Sequence, residues 1–118
     1  MERVYDLEER TALFAEHIIA YAESLPKTVG NERIRGQMID SGTSVGANYI
    51  EAKENLGKKD RLMHLKISRK EAKETAYWLR LSRPSDVQLG TKQQLMKEAD
   101  ELKRIFSSLI DKSELSDN

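Results

Sequence analysis

Apolar residues along this 118-residue chain recur at three- and four-residue intervals in four runs. That spacing is one face of an α-helix. The first run is Leu7, Phe14, Ile18, Tyr21 and Leu25. Asp6 opens it with Glu9 three residues on, a capping-box arrangement, and Pro26 closes it, so the pattern predicts a helix over 6–25. The second run, Ile34, Met38, Ser41, Val45, Asn48 and Ala52, predicts a helix over 31–55 with Asn31 as its N-cap and Gly57 as a left-handed cap on the way out. The third, Leu62, Leu65, Arg69, Ala72, Ala76 and Leu79, widened by Tyr77 and Trp78, predicts a helix over 60–83 that Pro84 stops. The fourth, Leu95, Ala99, Leu102, Phe106 and Leu109, predicts a helix over 91–112, opened by a capping box of Thr91 and Gln94. A polar tail, 113–118, follows. No alternating strand pattern and no internal repeat is present. Four helices with short connectors make a single all-α domain, an antiparallel up-and-down four-helix bundle.

One stretch resists its own periodicity. Residues 40–48 hold two glycines, three hydroxyls, an Asp and an Asn, a loop-like composition in the middle of a predicted helix. Gly42 and Gly46 are four apart and share a face. Each glycine in a helix interior costs about 1 kcal/mol against alanine, so close packing has to recover that loss. Ser41, Gly42, Gly46, Asn48 and Glu51 are therefore read as a close-packing or assembly motif. Ser41, Asn48 and Arg69 fall on seams otherwise apolar, and buried polar groups there need partners.

Charge adds a second feature. The chain is neutral overall, with 20 basic and 20 acidic residues, so no global field draws it to nucleic acid or lipid. The charges are segregated along it. Residues 1–25 carry six acids and two bases, residues 58–83 nine bases and three acids, and residues 84–118 seven acids and five bases. Lys58, Lys59, Arg61, Lys66, Lys70 and Lys73 on the third helix could contact phosphates. The favoured reading is that this basic helix packs beside an acidic one, within the bundle or between subunits.

Specific chemistry is thin. There is no Cys, hence no disulfide and no thiolate site. A di-metal carboxylate bundle needs Glu three residues before His, but Phe14 and Arg61 precede His17 and His64 in that place. The glycines of 42–46 lack the spacing and the Lys-Ser/Thr of a phosphate loop. No cofactor and no metal is expected, and the best acid candidates, Glu51, Glu71 and Glu74, read as helix-surface or network residues. No signal-peptide core and no membrane-length apolar run is seen, so a cytoplasmic, membrane-free protein is the expectation.

Two stretches carry a resemblance. Ser41-Gly42-Thr43-Ser44-Val45-Gly46-Ala47-Asn48, continuing to Glu51-Ala52, and Lys70-Glu71-Ala72-Lys73-Glu74-Thr75, continuing to Tyr77-Trp78-Leu79-Arg80-Leu81, resemble the four helix bundle proteins, also called the 23S rRNA intervening-sequence protein family. The resemblance covers most of the chain. It implies a left-handed up-and-down bundle that assembles into a ring, a homopentamer, with no established enzymatic activity. It marks Lys70, Glu71, Glu74, Tyr77 and Trp78 as the family motif of the third helix. Some members are encoded inside insertions in ribosomal RNA genes, and a retroelement accessory protein shares the architecture. The implied partners are thus a second copy of the chain and, more weakly, RNA, DNA or a nucleic-acid enzyme. Two positions depart from the family pattern: Asp40 stands where a basic residue is usual and Arg69 where an apolar one is. With the second and third helices antiparallel, Asp40 is expected to pair with Arg69 or Lys73.

Overall fold

In the computed structural model, residues 6–54 and 56–115 are described. They form four helices, α1 (Leu7–Ser24), α2 (Val29–Ala52), α3 (Lys58–Leu81) and α4 (Leu89–Leu115), with a 3-10 turn over Asp86–Gln88 before the last. No strand occurs among the described residues. No described helix is long and apolar enough to cross a membrane.

Side-chain pairs give the directions. Ser41 meets Thr75, Val45 meets Ser68 and Asn48 meets His64, so α2 ascends as α3 descends. Glu8 pairs with Lys53, and Arg35 with the end of α1, which makes α1 and α2 antiparallel. Lys66 reaches Glu114 and Lys92 reaches Arg80, which does the same for α3 and α4. The result is the up-and-down bundle. Its core is Phe14, Ile18 and Tyr21 of α1, Met38 and Val45 of α2, Leu65 and Leu79 of α3, and Leu95, Leu102, Phe106 and Ile110 of α4. The edges are unequal. α2 and α3 pack extensively, as do α3 and α4, whereas α1 leans on α2 and touches α4 lightly. A groove of about 660 Å³ lies along that lighter edge, lined in part by Leu13, Phe14, His17, Tyr21 and Leu95. Arg10 spans it, donating to Glu98 (2.7 and 2.9 Å) and Glu101 (2.8 Å). The hydrogen bonds and charge of the two carboxylates, Glu98 foremost, raise the guanidinium pKa above its already high ordinary value against the opposing effect of burial.

The helix ends differ from expectation for physical reasons. Thr28, not Asn31, caps α2, its hydroxyl accepting from the Asn31 amide at 3.1 Å. Asn31 lies inside the helix, buried, and its side chain does other work described below. Asp6 caps α1 by accepting from the Glu8 amide. Thr91 is no cap: the 3-10 turn starts the fourth helix two residues earlier. Gly57 precedes α3 as its N-cap at φ 117° and ψ 164°, a region that is essentially glycine's alone. The C-terminal carbonyls of three helices receive cations from elsewhere in the bundle. Arg35 donates to Ala22 O and, at 3.4 Å, to Leu25 O. Lys92 donates to Ser82 O (2.8 Å) and Arg80 O (3.2 Å), and Lys58 to Glu114 O (3.2 Å). Each satisfies orphan carbonyls at the negative pole of a helix.

Candidate functional site

The two stretches that carry the family resemblance meet across the α2–α3 seam. Along α3 and onto its C-cap a hydroxyl recurs every seven residues: Ser68, Thr75 and Ser82 are all buried. Ser68 Oγ donates to Val45 O at 2.8 Å, a cross-helix bond onto the backbone. Thr75 Oγ1 lies 2.8 Å from Ser41 Oγ and 2.7 Å from Glu71 O. Ser41 Oγ is also 3.3 Å from Met38 O. One proton per hydroxyl means the pair runs in a single sense, ending on the carbonyl one turn back of either helix. Ser82 Oγ lies 2.7 Å from Tyr21 OH and tethers α1 to the end of α3. The seam that sequence periodicity places on Leu62, Arg69 and Ala76 is rotated by about one residue, onto Leu65, Ser68, Ala72, Thr75 and Leu79. Hydroxyls scored as polar are in fact satisfied there, so burying them is inexpensive.

The glycines point the other way, towards α1. A Cβ on Gly42 would stand 2.8 Å from Ile18 Cγ2, and one on Gly46 would stand 2.7 Å from Thr11 Oγ1. The close approach therefore belongs to the fold of one chain. Asn48 turns back to α3: its Nδ2 donates to Ser44 O at 3.0 Å, and its Oδ1 is 3.0 Å from His64 Nδ1. Because the carbonyl oxygen can only accept, the imidazole carries its proton on Nδ1. His64 Nε2 faces Asp60 at 3.7 Å. Glu51 is exposed. The five residues of the motif thus face three directions, holding α2 to both neighbours rather than converging on a cleft.

On α3, Lys70 and Glu71 pair at 3.7 Å. Glu71 is half-buried, and that burial raises its carboxyl pKa above the usual range. Glu74 and Asp40 push it the same way and Lys70 opposes them. Asp40 therefore adds to an acidic edge and forms no ion pair with Arg69 or Lys73. Arg69 turns to α4 instead, where Nη1 donates to Ser107 Oγ at 3.3 Å. Tyr77 is exposed and stacks edge-on with Trp78 at 5.3 Å. The Trp78 indole N–H is buried with no hydrogen-bond partner among the described residues.

The six basic candidates divide in three. Lys58, Arg61 and Lys66 engage the end of α4, through Glu114 O, Ser113 Oγ (3.3 Å) and the Glu114 carboxylate (3.6 Å). Lys70 holds Glu71, and Lys59 and Lys73 are exposed with no ion-pair partner among the described residues. No group of three His, Cys, Asp or Glu side chains that could hold a metal occurs among the described residues.

The bundle end opposite Gly57 contains a residue whose importance the sequence hides. Asn31 Nδ2 donates to Pro26 O and to Arg83 O, both at 2.9 Å, and Asn31 Oδ1 accepts from the Arg83 amide at 3.0 Å. One buried amide clasps the α1–α2 connector to the α3–α4 connector. An Asn near a helix start reads as a cap, so only its place on the inward face could have signalled this.

No curated protein matches the chain. Among solved structures it is similar to a protein of unknown function from the S23 ribosomal protein family of Bacteroides thetaiotaomicron, with a TM-score of 0.72 and 26% identity over 89% of this chain and 98% of that one. The sequence model of the 23S rRNA-intervening sequence protein family matches residues 5–108. With that match spanning nearly the whole bundle and both signature stretches, the chain belongs to the 23S rRNA-intervening sequence protein family.

Proposed function

We propose that this protein is a non-enzymatic scaffold, a bundle that assembles with copies of itself into a homopentameric ring and presents the ring's surface to another macromolecule. One observation carries the reading. The residues of the signature stretches are engaged in joining helices: Gly42 and Gly46 against α1, Ser41, Val45 and Asn48 against α3, and Thr75 against α2. They set a rigid shape, and shape is what a scaffold transmits. The groove along the α1–α4 edge takes in His17 and none of the carboxylates Glu51, Glu71 and Glu74.

A second reading is an RNA- or DNA-binding accessory protein. It is favoured by Lys59 and Lys73, exposed and without an ion-pair partner among the described residues, on a helix, α3, that carries eight bases. The two are separated by titrating purified protein with RNA as salt rises from roughly 50 to 200 mM, across which phosphate-driven affinity falls by orders of magnitude. Steeply salt-dependent binding, abolished by reversing Lys66, Lys70 and Lys73, supports the accessory protein. Absence of binding at the lowest salt, with a partner retained after nuclease treatment in capture from the host, supports the scaffold.

A further inference from the structure

Two charged stripes face outwards from the bundle, on helices that do not pack against each other along their length. On α1, Glu9, Glu16 and Glu23 recur every seven residues, all exposed, none with a hydrogen-bond or ion-pair partner among the described residues. On α3, Lys59, Lys66, Lys73 and Arg80 recur every seven residues, all exposed, and among the described residues only Lys66 has an acidic partner. Both stripes point directly away from the core. Glu16 precedes the buried Ile18 by two residues, and Lys66 and Lys73 precede the buried Ser68 and Thr75 by two, about 200° round each helix. Apolar side chains lie among the charges: Leu13 with Ala12 and Ala20 on α1, Met63 and Tyr77 on α3.

We infer that the acidic α1 corner of one protomer docks on the basic α3 corner of the next. This rests on the ring-forming reading above and names its contact. The two stripes are complementary in sign, spacing and level. The 7-residue repeat is the same on both helices. α1 and α3 run parallel in the up-and-down bundle, so a ring whose axis follows the helices brings them together in parallel. The Tyr21–Ser82 hydrogen bond puts position 21 level with position 82. Glu9 then stands level with position 70, between Lys66 and Lys73, and Glu16 with position 77, between Lys73 and Arg80. Each carboxylate falls midway between two cations, about 5 Å along the axis from each, within reach of long side chains. The two faces differ, so the contact is heterologous, the kind that generates rings when its rotation closes. Exposed ion pairs are individually weak, and the apolar residues between them supply the burial while the charges set partner and register.

The test uses the whole chain in three variants measured by sedimentation velocity: Glu9→Lys with Glu16→Lys, Lys66→Glu with Lys73→Glu, and all four together. Circular dichroism checks that each retains its helix content. The expected result is that either double variant falls to monomer at a concentration where the wild type is assembled, while the fourfold variant reassembles. Double variants that remain assembled overturn the contact and leave the ring reading standing. So does a fourfold variant that stays monomeric. An α3 variant that stays assembled but loses RNA binding gives the basic stripe to nucleic acid. A monomeric wild type overturns the ring reading and this contact with it.

Discussion

Asn31 of α2 and Arg83 beyond α3 exchange two hydrogen bonds, side-chain Nδ2 to carbonyl at 2.9 Å and amide to Oδ1 at 3.0 Å, across 52 residues of sequence. With the third bond to Pro26 O, the two connectors at that end become one unit. Asn31→Ala removes three bonds and is expected to destabilise the protein by about 2 kcal/mol, read as a lower urea midpoint. Asn31→Asp keeps the shape but replaces the donor that faces two carbonyls with an acceptor. It should be worse than the alanine at neutral pH. Equal losses for both would mean that the site is only a space to be filled.

Glycines of one helix should respond with opposite signs. At Gly46 the added methyl meets Thr11 Oγ1 at 2.7 Å and Thr11 Cβ at 3.1 Å, so overpacking of about 1–3 kcal/mol outweighs the better helix propensity. Gly46→Ala should lower the melting temperature, and Thr11→Ala in the same chain should recover part of the loss. At Gly36 an added Cβ meets nothing within 4 Å, and Gly36→Ala should stabilise by up to about 1 kcal/mol. Thermal melts of the three variants check this, and matching shifts at the two glycines would contradict the assigned α1–α2 contact.

Much of this was legible in the sequence, and the misses share a cause. The heptad spacing of Phe14, Ile18 and Tyr21, and of Leu95, Ala99, Leu102 and Phe106, locates the cores of α1 and α4 because apolar residues declare themselves. Reading 40–48 as helix was possible because the flanking periodicity outlasts the local composition. On α3 the buried stripe was displaced by one residue, since Ser68 and Thr75 look solvent-facing until their carbonyl and hydroxyl partners on α2 are known. Asn31, Arg35 and Lys92 escaped for the same reason. Their partners are backbone carbonyls of distant segments, which carry no residue-type signature. At the site, the pairing of Gly42 and Gly46 was visible, but whether they faced α1 or a second chain was a question of rotation that spacing cannot answer.

Glu71 gives a pH prediction with a definite sign. Burial, helped by Glu74 and Asp40, raises its carboxyl pKa in the folded protein above the unfolded value. The charged form is thus the disfavoured one. The stability linked to this group is fully present below the unfolded pKa and is lost as pH rises through the folded pKa. Glu71→Gln, which mimics the protonated acid, should raise the melting temperature at pH 7. The gain should vanish near pH 4, where the wild type is itself protonated. A loss of stability at pH 7 would instead mean that the attraction between Lys70 and Glu71 outweighs the cost of burying the carboxylate.

The ring is the central claim, and native mass spectrometry of the untagged protein tests it most directly. A dominant species of about 67 kDa is expected, five times the 13.5 kDa chain, the mass of the proposed closed homopentamer. This species should dissociate as ionic strength rises. A single 13.5 kDa species at every concentration would contradict the ring.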